Sequence, residues 1–168
     1  MNQSNVMVKS AGEGAIALYL TLIAALLLQV FPLPLWAQQA RPEIPLLVLI
    51  YWNMALPHRV GITAAVIMGI IVDAQTFSLL GQHALAYALA IYVVLMIHKR
   101  LRLLPMWQQA VTVLAILYIE RLIAALVLGV TDGLFPDRLF WLSPLIGMFL
   151  WPWIFIILRE IRQSFHIQ

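Results

Sequence analysis

Asp73, Glu120 and Arg121 are the residues of this chain whose placement points most directly to chemistry. Each lies inside a long apolar run, where a charge neither paired nor neutralised costs about 2–4 kcal/mol by insertion scales. Groups of this kind lock helices as ion pairs, couple protons or substrates, or meet a charge on a partner's transmembrane helix. Depth narrows the choice. Asp73 is 13 residues past Val60 and Arg121 is 13 residues past Gln108, so each sits about 20 Å into its helix from the same side. The expectation is an Asp73–Arg121 pair that locks the third apolar segment to the fifth. Glu120, about 100° around its helix from Arg121, is then the better candidate for a partner's helix.

Other spacings carry weaker signals. Gly61, Ala65 and Gly69 recur every four residues ahead of Asp73. This small-residue face lets helix backbones approach closely, chiefly within one bundle and alternatively between two copies. Pro57, His58 and Arg59 form a turn between two apolar runs, where Arg59 anchors to headgroups or docks a cytoplasmic partner. Trp151 and Trp153 flank Pro152 within the last run. A mid-helix proline kinks the helix, and the two indoles either fill the gap or meet a partner.

The elements that position these residues follow from composition. With 64% hydrophobic and 10% charged residues over 168 positions, the chain lacks the polar cover of a soluble fold. The runs do not alternate as barrel strands do, and backbone groups inside a bilayer must pair within each segment, so helix is the default. Six spans are read at Ala15–Pro34, Ile44–Leu56, Val60–Leu80, His83–Ile97, Gln108–Val130 and Leu139–Leu158. The predicted class is an all-α integral membrane protein: one six-helix bundle over residues 15–158, flanked by tails at 1–14 and 159–168.

Charge sets the orientation. Lys9, Arg59, Lys99, Arg100, Arg102, Arg159 and Arg162, seven of the ten basic residues, share one side. By the positive-inside rule that side is cytoplasmic, with both termini. The second run is only 13 residues, about 20 Å of helix. If it were re-entrant, Arg41 would join the majority and Lys9 would leave it, so the later loops keep their side while the N-terminus does not. Pro42 and Pro45 suit the first turn of a spanning helix. Trp36, Trp107 and Trp141 near span ends match interfacial belts.

Several function classes drop out. The net charge of +3 is explained by topology, with Lys99, Arg100 and Arg102 in one short loop facing anionic headgroups; nucleic acid is not a partner. Changes in that loop are expected to disturb orientation or lipid contact before folding. There are no cysteines, hence no disulfides or thiolate metal sites. His58, His83, His98 and His166 are scattered without metal-ligand spacing, so no metal and no cofactor are expected. Ser78 and Ser143 have no evident base, and phosphate-loop, dinucleotide and zinc-hydrolase motifs are missing. The chain does not read as an enzyme. The first span is not followed by a small-residue cleavage motif, so it is expected to be retained.

The stretches "LLVLIYWNMALPHRVGI", "MGIIVDAQTFSLLG", "WQQA" and "LWPWIFIILREIRQSF" resemble the MreD family of rod shape-determining membrane proteins, from roughly Ala24 to the C-terminus. Arg121 beside Glu120 departs from the family pattern. The resemblance implies a non-enzymatic inner-membrane subunit of the cell-elongation complex. Its partners would be MreC and, directly or indirectly, MreB, RodA with its transpeptidase, and RodZ. The role would be to support lateral peptidoglycan synthesis and rod shape. The family also looks distantly similar in fold to the substrate-binding membrane subunits of energy-coupling-factor transporters, which does not settle function.

Two classes of function compete. A scaffold for other transmembrane helices predicts a packed interior around Asp73 and Arg121. A transporter-type subunit, binding a small molecule or lipid-linked precursor, predicts an open outward pocket, for which Asp73, Gln75, Thr76, Ser78, Gln82, His83 and Arg121 are the available polar groups. A homo-oligomeric channel would need a polar run along one span, and none is present.

Overall fold

The computed structural model describes residues 3–32, 34, 38, 40–131, 133 and 136–165, with side chains from Gly14 onward. The positions expected for Trp36, Asp132 and His166, and the side chain of Lys9, lie outside the described residues. Among those described there are six α-helices and no strand: α1 (Gln3–Val30), α2 (Ile44–Ala55), α3 (Gly61–Thr76), α4 (Gln82–Leu101), α5 (Met106–Thr131) and α6 (Ser143–Ser164). A short 3-10 turn at Arg138–Leu142 leads into α6. The predicted all-helical class holds. Gln82–Leu101, Met106–Thr131 and Arg138–Ser164 are each long and apolar enough to cross a membrane, while Gly14–Val30, Ile44–Ala55 and Gly61–Thr76 are shorter apolar segments.

Local chemistry sets the helix boundaries. Pro45 occupies the first turn of α2, where its missing N–H is harmless, and α2 ends at Ala55, two residues before Pro57. Gly61 opens α3 at φ +63°, and Gly81 precedes α4 at φ +101°; both backbones sit in the left-handed region that glycine adopts without penalty. The third helix stops at Thr76 rather than continuing to Leu80, because Phe77 turns left-handed at φ 53°. Residues 77–81 form a turn instead of a last helical turn. Pro144 lies in the first turn of α6 and Pro152 inside it.

The core is built around α2. Every residue from Pro45 to Met54 is buried, and α2 packs against α1, α3, α4 and α6. At 12 residues it is about 18 Å long, well short of a bilayer core of about 30 Å, so its backbone is shielded by protein rather than lipid. Trp52 donates to Thr21 Oγ1 of α1 (2.9 Å), and Tyr51 packs edge-on against Phe155 of α6. By contrast α1 leaves Ile16, Tyr19, Leu20, Ile23 and Leu27 exposed, an apolar stripe at helical spacing suited to lipid.

The remaining helices are joined in sequence, α3 to α4, α4 to α5 and α5 to α6. The small-residue face is used unevenly. A Cβ on Gly69 would collide with the backbone of Ala84 in α4, so this glycine lets α3 and α4 approach, and Ala65 is fully buried. Gly61 differs: a Cβ there would meet nothing within 4 Å. Its glycine serves the positive φ, not packing.

One end of the bundle carries the basic loop. Lys99 and Arg100 are exposed, but Arg102 reaches back to α2, donating from Nε to the Met54 carbonyl and from Nη2 to the Ala55 carbonyl (2.8 Å). It caps the orphan carbonyls of the buried helix. The expectation that this loop acts on orientation before folding therefore needs correction at Arg102, whose head group is part of the fold. His58 and Arg59, in the neighbouring turn, are exposed and Pro57 is half-buried.

Candidate functional site

The opposite end of α2 is where the charged groups gather. Because α2 starts late, at Ile44, while α5 continues to Thr131, a cavity of about 840 Å³ opens above its N-terminus. It is lined by Gln29 at the end of α1, Arg41 and Glu43 before α2, Gln75, Thr76 and Ser78 around the end of α3, Gln82 and His83 at the start of α4, Arg121 of α5 and Phe140. That volume is within the range of small-molecule sites. Five of the polar groups expected to face an outward pocket, together with Arg121, do line it. Asp73 does not; it lies behind His83, at 1% exposure.

The expected Asp73–Arg121 ion pair is not formed. Asp73 pairs with His83, its Oδ1 accepting from His83 Nδ1 at 2.8 Å. The same oxygen accepts from the His83 backbone N–H (2.9 Å) and Ser78 Oγ (2.9 Å), while Oδ2 accepts from the Gly81 N–H (2.8 Å). Four donors saturate the carboxylate and fasten the α3–α4 turn. The depth argument paired the wrong helices because α4 intervenes: α3 and α5 each pack on α4.

Arg121 binds Glu43. Its Nη2 lies 3.0 Å from Glu43 Oε1, 2.7 Å from Ser143 Oγ and 3.0 Å from the Arg41 carbonyl. Ser143 in turn donates to that carbonyl (2.6 Å). The guanidinium sits over the Phe140 ring, 4.6 Å from its centroid, a favourable cation–π distance. The second oxygen of Glu43 accepts from Tyr87 of α4 (2.7 Å) and Gln29 of α1 (3.4 Å). One buried network thus ties α1, the α1–α2 connection, α4, α5 and α6 together. Arg41 adds to it by donating to the carbonyls of Gln29 and Phe31, closing the end of α1 over the cavity.

Glu120 is the exception. It is fully buried, neither carboxylate oxygen has a hydrogen-bond partner, and its nearest charge is Arg121 Nε at 3.7 Å. It faces the bundle interior, not a partner's helix as expected. Its carboxylate, that of Glu43 and the His83 imidazole each present one potential ligand atom, all within 4.8 Å of one another.

Sequence reasoning missed Glu43, Tyr87, Gln29 and the role of Ser143. Glu43 was readable in part, since it stands between Pro42 and Pro45 at the start of an apolar run. Ser143 drew attention only as a nucleophile lacking a base. The aromatic pair beside Pro152 divides: Trp151 is fully buried and packs against Phe155, so it fills the core, whereas Trp153 is 72% exposed.

Comparison with known proteins gives the family. Residues 9–161 match the family described as rod shape-determining protein MreD. The rod shape-determining protein MreD of Haemophilus influenzae is 32% identical over 146 residues, spanning 84% of this chain and 88% of that protein. No solved structure matches the chain. A helical membrane bundle matched over nearly its whole length in this way belongs to the MreD family of rod shape-determining proteins.

Proposed function

We propose that the chain is a non-enzymatic, multi-pass subunit of the bacterial inner membrane that binds MreC and supports lateral peptidoglycan synthesis. Family membership carries this reading. The described connections between helices are short, so a partner with a single span would be met mainly by exposed helix faces. Trp153 and Phe149 offer such a face on α6, one turn apart and 72% and 73% exposed. Other members of the rod complex, MreB, RodA with its transpeptidase, and RodZ, would be reached directly or through MreC. The end bearing Arg59, Lys99, Arg100, Arg102, Arg159 and Arg162 would be cytoplasmic, with both termini, and the cavity would open to the outer face.

The cavity favours a second reading alongside the first. A packed scaffold needs no polar chamber, and about 840 Å³ lined by glutamines, hydroxyls and two arginines suits a small molecule or the head group of a lipid-linked precursor. A fold like the substrate-binding subunits of energy-coupling-factor transporters would hold a ligand in such a chamber.

The test is co-purification with MreC in mild detergent, with and without the MreC transmembrane segment. Capture that needs the segment is the expected result. Failure of capture by a monodisperse, folded protein would overturn it. Solvent extraction of the purified protein, followed by mass spectrometry, asks whether the cavity retains a ligand.

A further inference from the structure

Glu43 and His83, which line the cavity, meet the buried Glu120, and the three arrive from separate elements. Glu43 precedes α2, His83 opens α4 and Glu120 lies within α5. Their potential ligand atoms lie within 4.8 Å of one another, and all three residues are buried. Two neighbouring acids alone would not mark a site, but two independent observations do.

The first is the state of Glu120. A fully buried carboxyl group with no hydrogen bond to either oxygen has lost its hydration without replacement, a cost met by neutralisation, by closer pairing or by a bound cation. Arg121 offers only a long contact, its unpartnered Nε lying 3.7 Å from Glu120 Oε2, while its Nη2 is engaged by Glu43, Ser143 and the Arg41 carbonyl. The second is the orientation of His83. Asp73 accepts from Nδ1 at 2.8 Å, which leaves Nε2 as the ring nitrogen available to a ligand. A carboxylate behind an imidazole in this way fixes the tautomer and ring of metal-binding histidines.

We propose that Glu43, His83 and Glu120 form a binding site for a divalent first-row transition-metal ion, best matched by Zn²⁺. One imidazole with two carboxylates is a donor set zinc accepts, and the imidazole argues against Ca²⁺ and Mg²⁺, which take oxygen ligands. Tetrahedral zinc at bond lengths of about 2.0–2.2 Å holds its ligands about 3.3–3.6 Å apart, so the three donor atoms need draw together only modestly. Glu43 Oε2 already accepts from Tyr87 and Gln29, but Oε1 accepts from Arg121 alone and retains a second lone pair. Arg121 offsets one of the two glutamate charges, and the ion would meet the other. Glu43 and His83 line the cavity, so a fourth coordination position is available to water or to an anionic group lodged there. The separated ligands explain why no metal spacing was legible in the sequence.

The experiment uses the full-length chain in mild detergent, stripped with chelator, then equilibrated with Zn²⁺ and analysed for bound metal. A background variant with His58→Ala, His98→Ala and His166→Ala removes imidazoles that bind zinc adventitiously. The expected result is about one ion per chain retained in that background. Glu120→Gln should weaken it by about tenfold or more, and Asp73→Asn, acting through the His83 tautomer, by about 10–100-fold. Co²⁺ gives a second readout: bound to the background protein it should show the visible absorption of a low-coordinate site, and His83→Ala should abolish it. The proposal is overturned if folded protein in the background that keeps His83 alone binds no zinc. It is equally overturned if Glu120→Gln binds zinc as tightly as its parent, or if His83→Ala keeps the Co²⁺ absorption.

Discussion

Asp73 and Glu120 are equally buried, at 1% and 0% exposure, yet their surroundings are opposite. Asp73 receives donors from Ser78, the Gly81 and His83 backbone and the His83 ring, all within ten residues of it along the chain. Glu120 receives no hydrogen bond and stands beside a guanidinium whose partners come from 22 to 80 positions away. The first is a closed anchor that holds a turn. The second is part of a centre that only the assembled bundle can create, with acceptor capacity left over. A saturated buried acid marks architecture, whereas an unsaturated one calls for a further partner or a neutral state, and the proposed ion would be such a partner.

The contrast is broken most forcefully at Arg121. Arg121→Ala removes the cation from Glu43 and the donor from Ser143 and the Arg41 carbonyl. We expect a loss of about 3–5 kcal/mol, read as a collapse of monodisperse protein in detergent size-exclusion profiles. A double-mutant cycle sharpens the assignment. Glu43→Gln with Arg121→Met should show coupling of about 0.5–3 kcal/mol, and Asp73→Asn with Arg121→Met should be additive within about 0.5 kcal/mol. Coupling of the second pair and additivity of the first would restore the Asp73–Arg121 lock in place of the arrangement described here.

Next in size is Asp73→Ala, which strands two backbone N–H groups, a hydroxyl and the His83 ring. Each unsatisfied donor costs about 1–3 kcal/mol unless water reaches it, and the cavity beyond His83 gives water access. A net loss of about 2 kcal/mol is expected, measured by thermal unfolding in detergent. Glu120→Gln should behave differently in metal-free protein. The Glu120 carboxyl group has no hydrogen bond to lose and only a long contact to Arg121, so stability should change by less than about 1 kcal/mol. A loss from Glu120→Gln as large as that from Asp73→Ala would erase the distinction between the two acids.

These two regions also show what was legible in the sequence. The six helices and their class follow from apolar runs and breakers, because each helix satisfies its own backbone. The α3–α4 turn was missed since 77–80 read as continuous apolar span, yet its partners are local, and Ser78 and His83 sat in view beside Asp73. The Arg121 centre was illegible for another reason. Equal depth constrains two residues along the membrane normal, not around the bundle, and which helices touch is decided by packing. The shortness of α2 was visible, but its consequence, a chamber over its N-terminus, depends on α1, α3, α4 and α5 closing around it.

The smallest effect on stability, and the one that separates fold from partner, is expected at Trp153. Trp151, buried beside it, should cost about 3–5 kcal/mol on truncation to Ala because it leaves a core cavity. Trp153 is exposed, so Trp153→Ala should stay within about 0.5 kcal/mol of the parent. If that face of α6 receives a partner's helix, the variant should nevertheless lose capture of MreC, since exposed aromatic anchors carry much of the energy of such contacts. Normal folding with lost capture would place the interface on α6. Normal folding with full capture would move it to another exposed helix face, with the stripe of Ile16, Tyr19, Leu20, Ile23 and Leu27 on α1 the next to be changed.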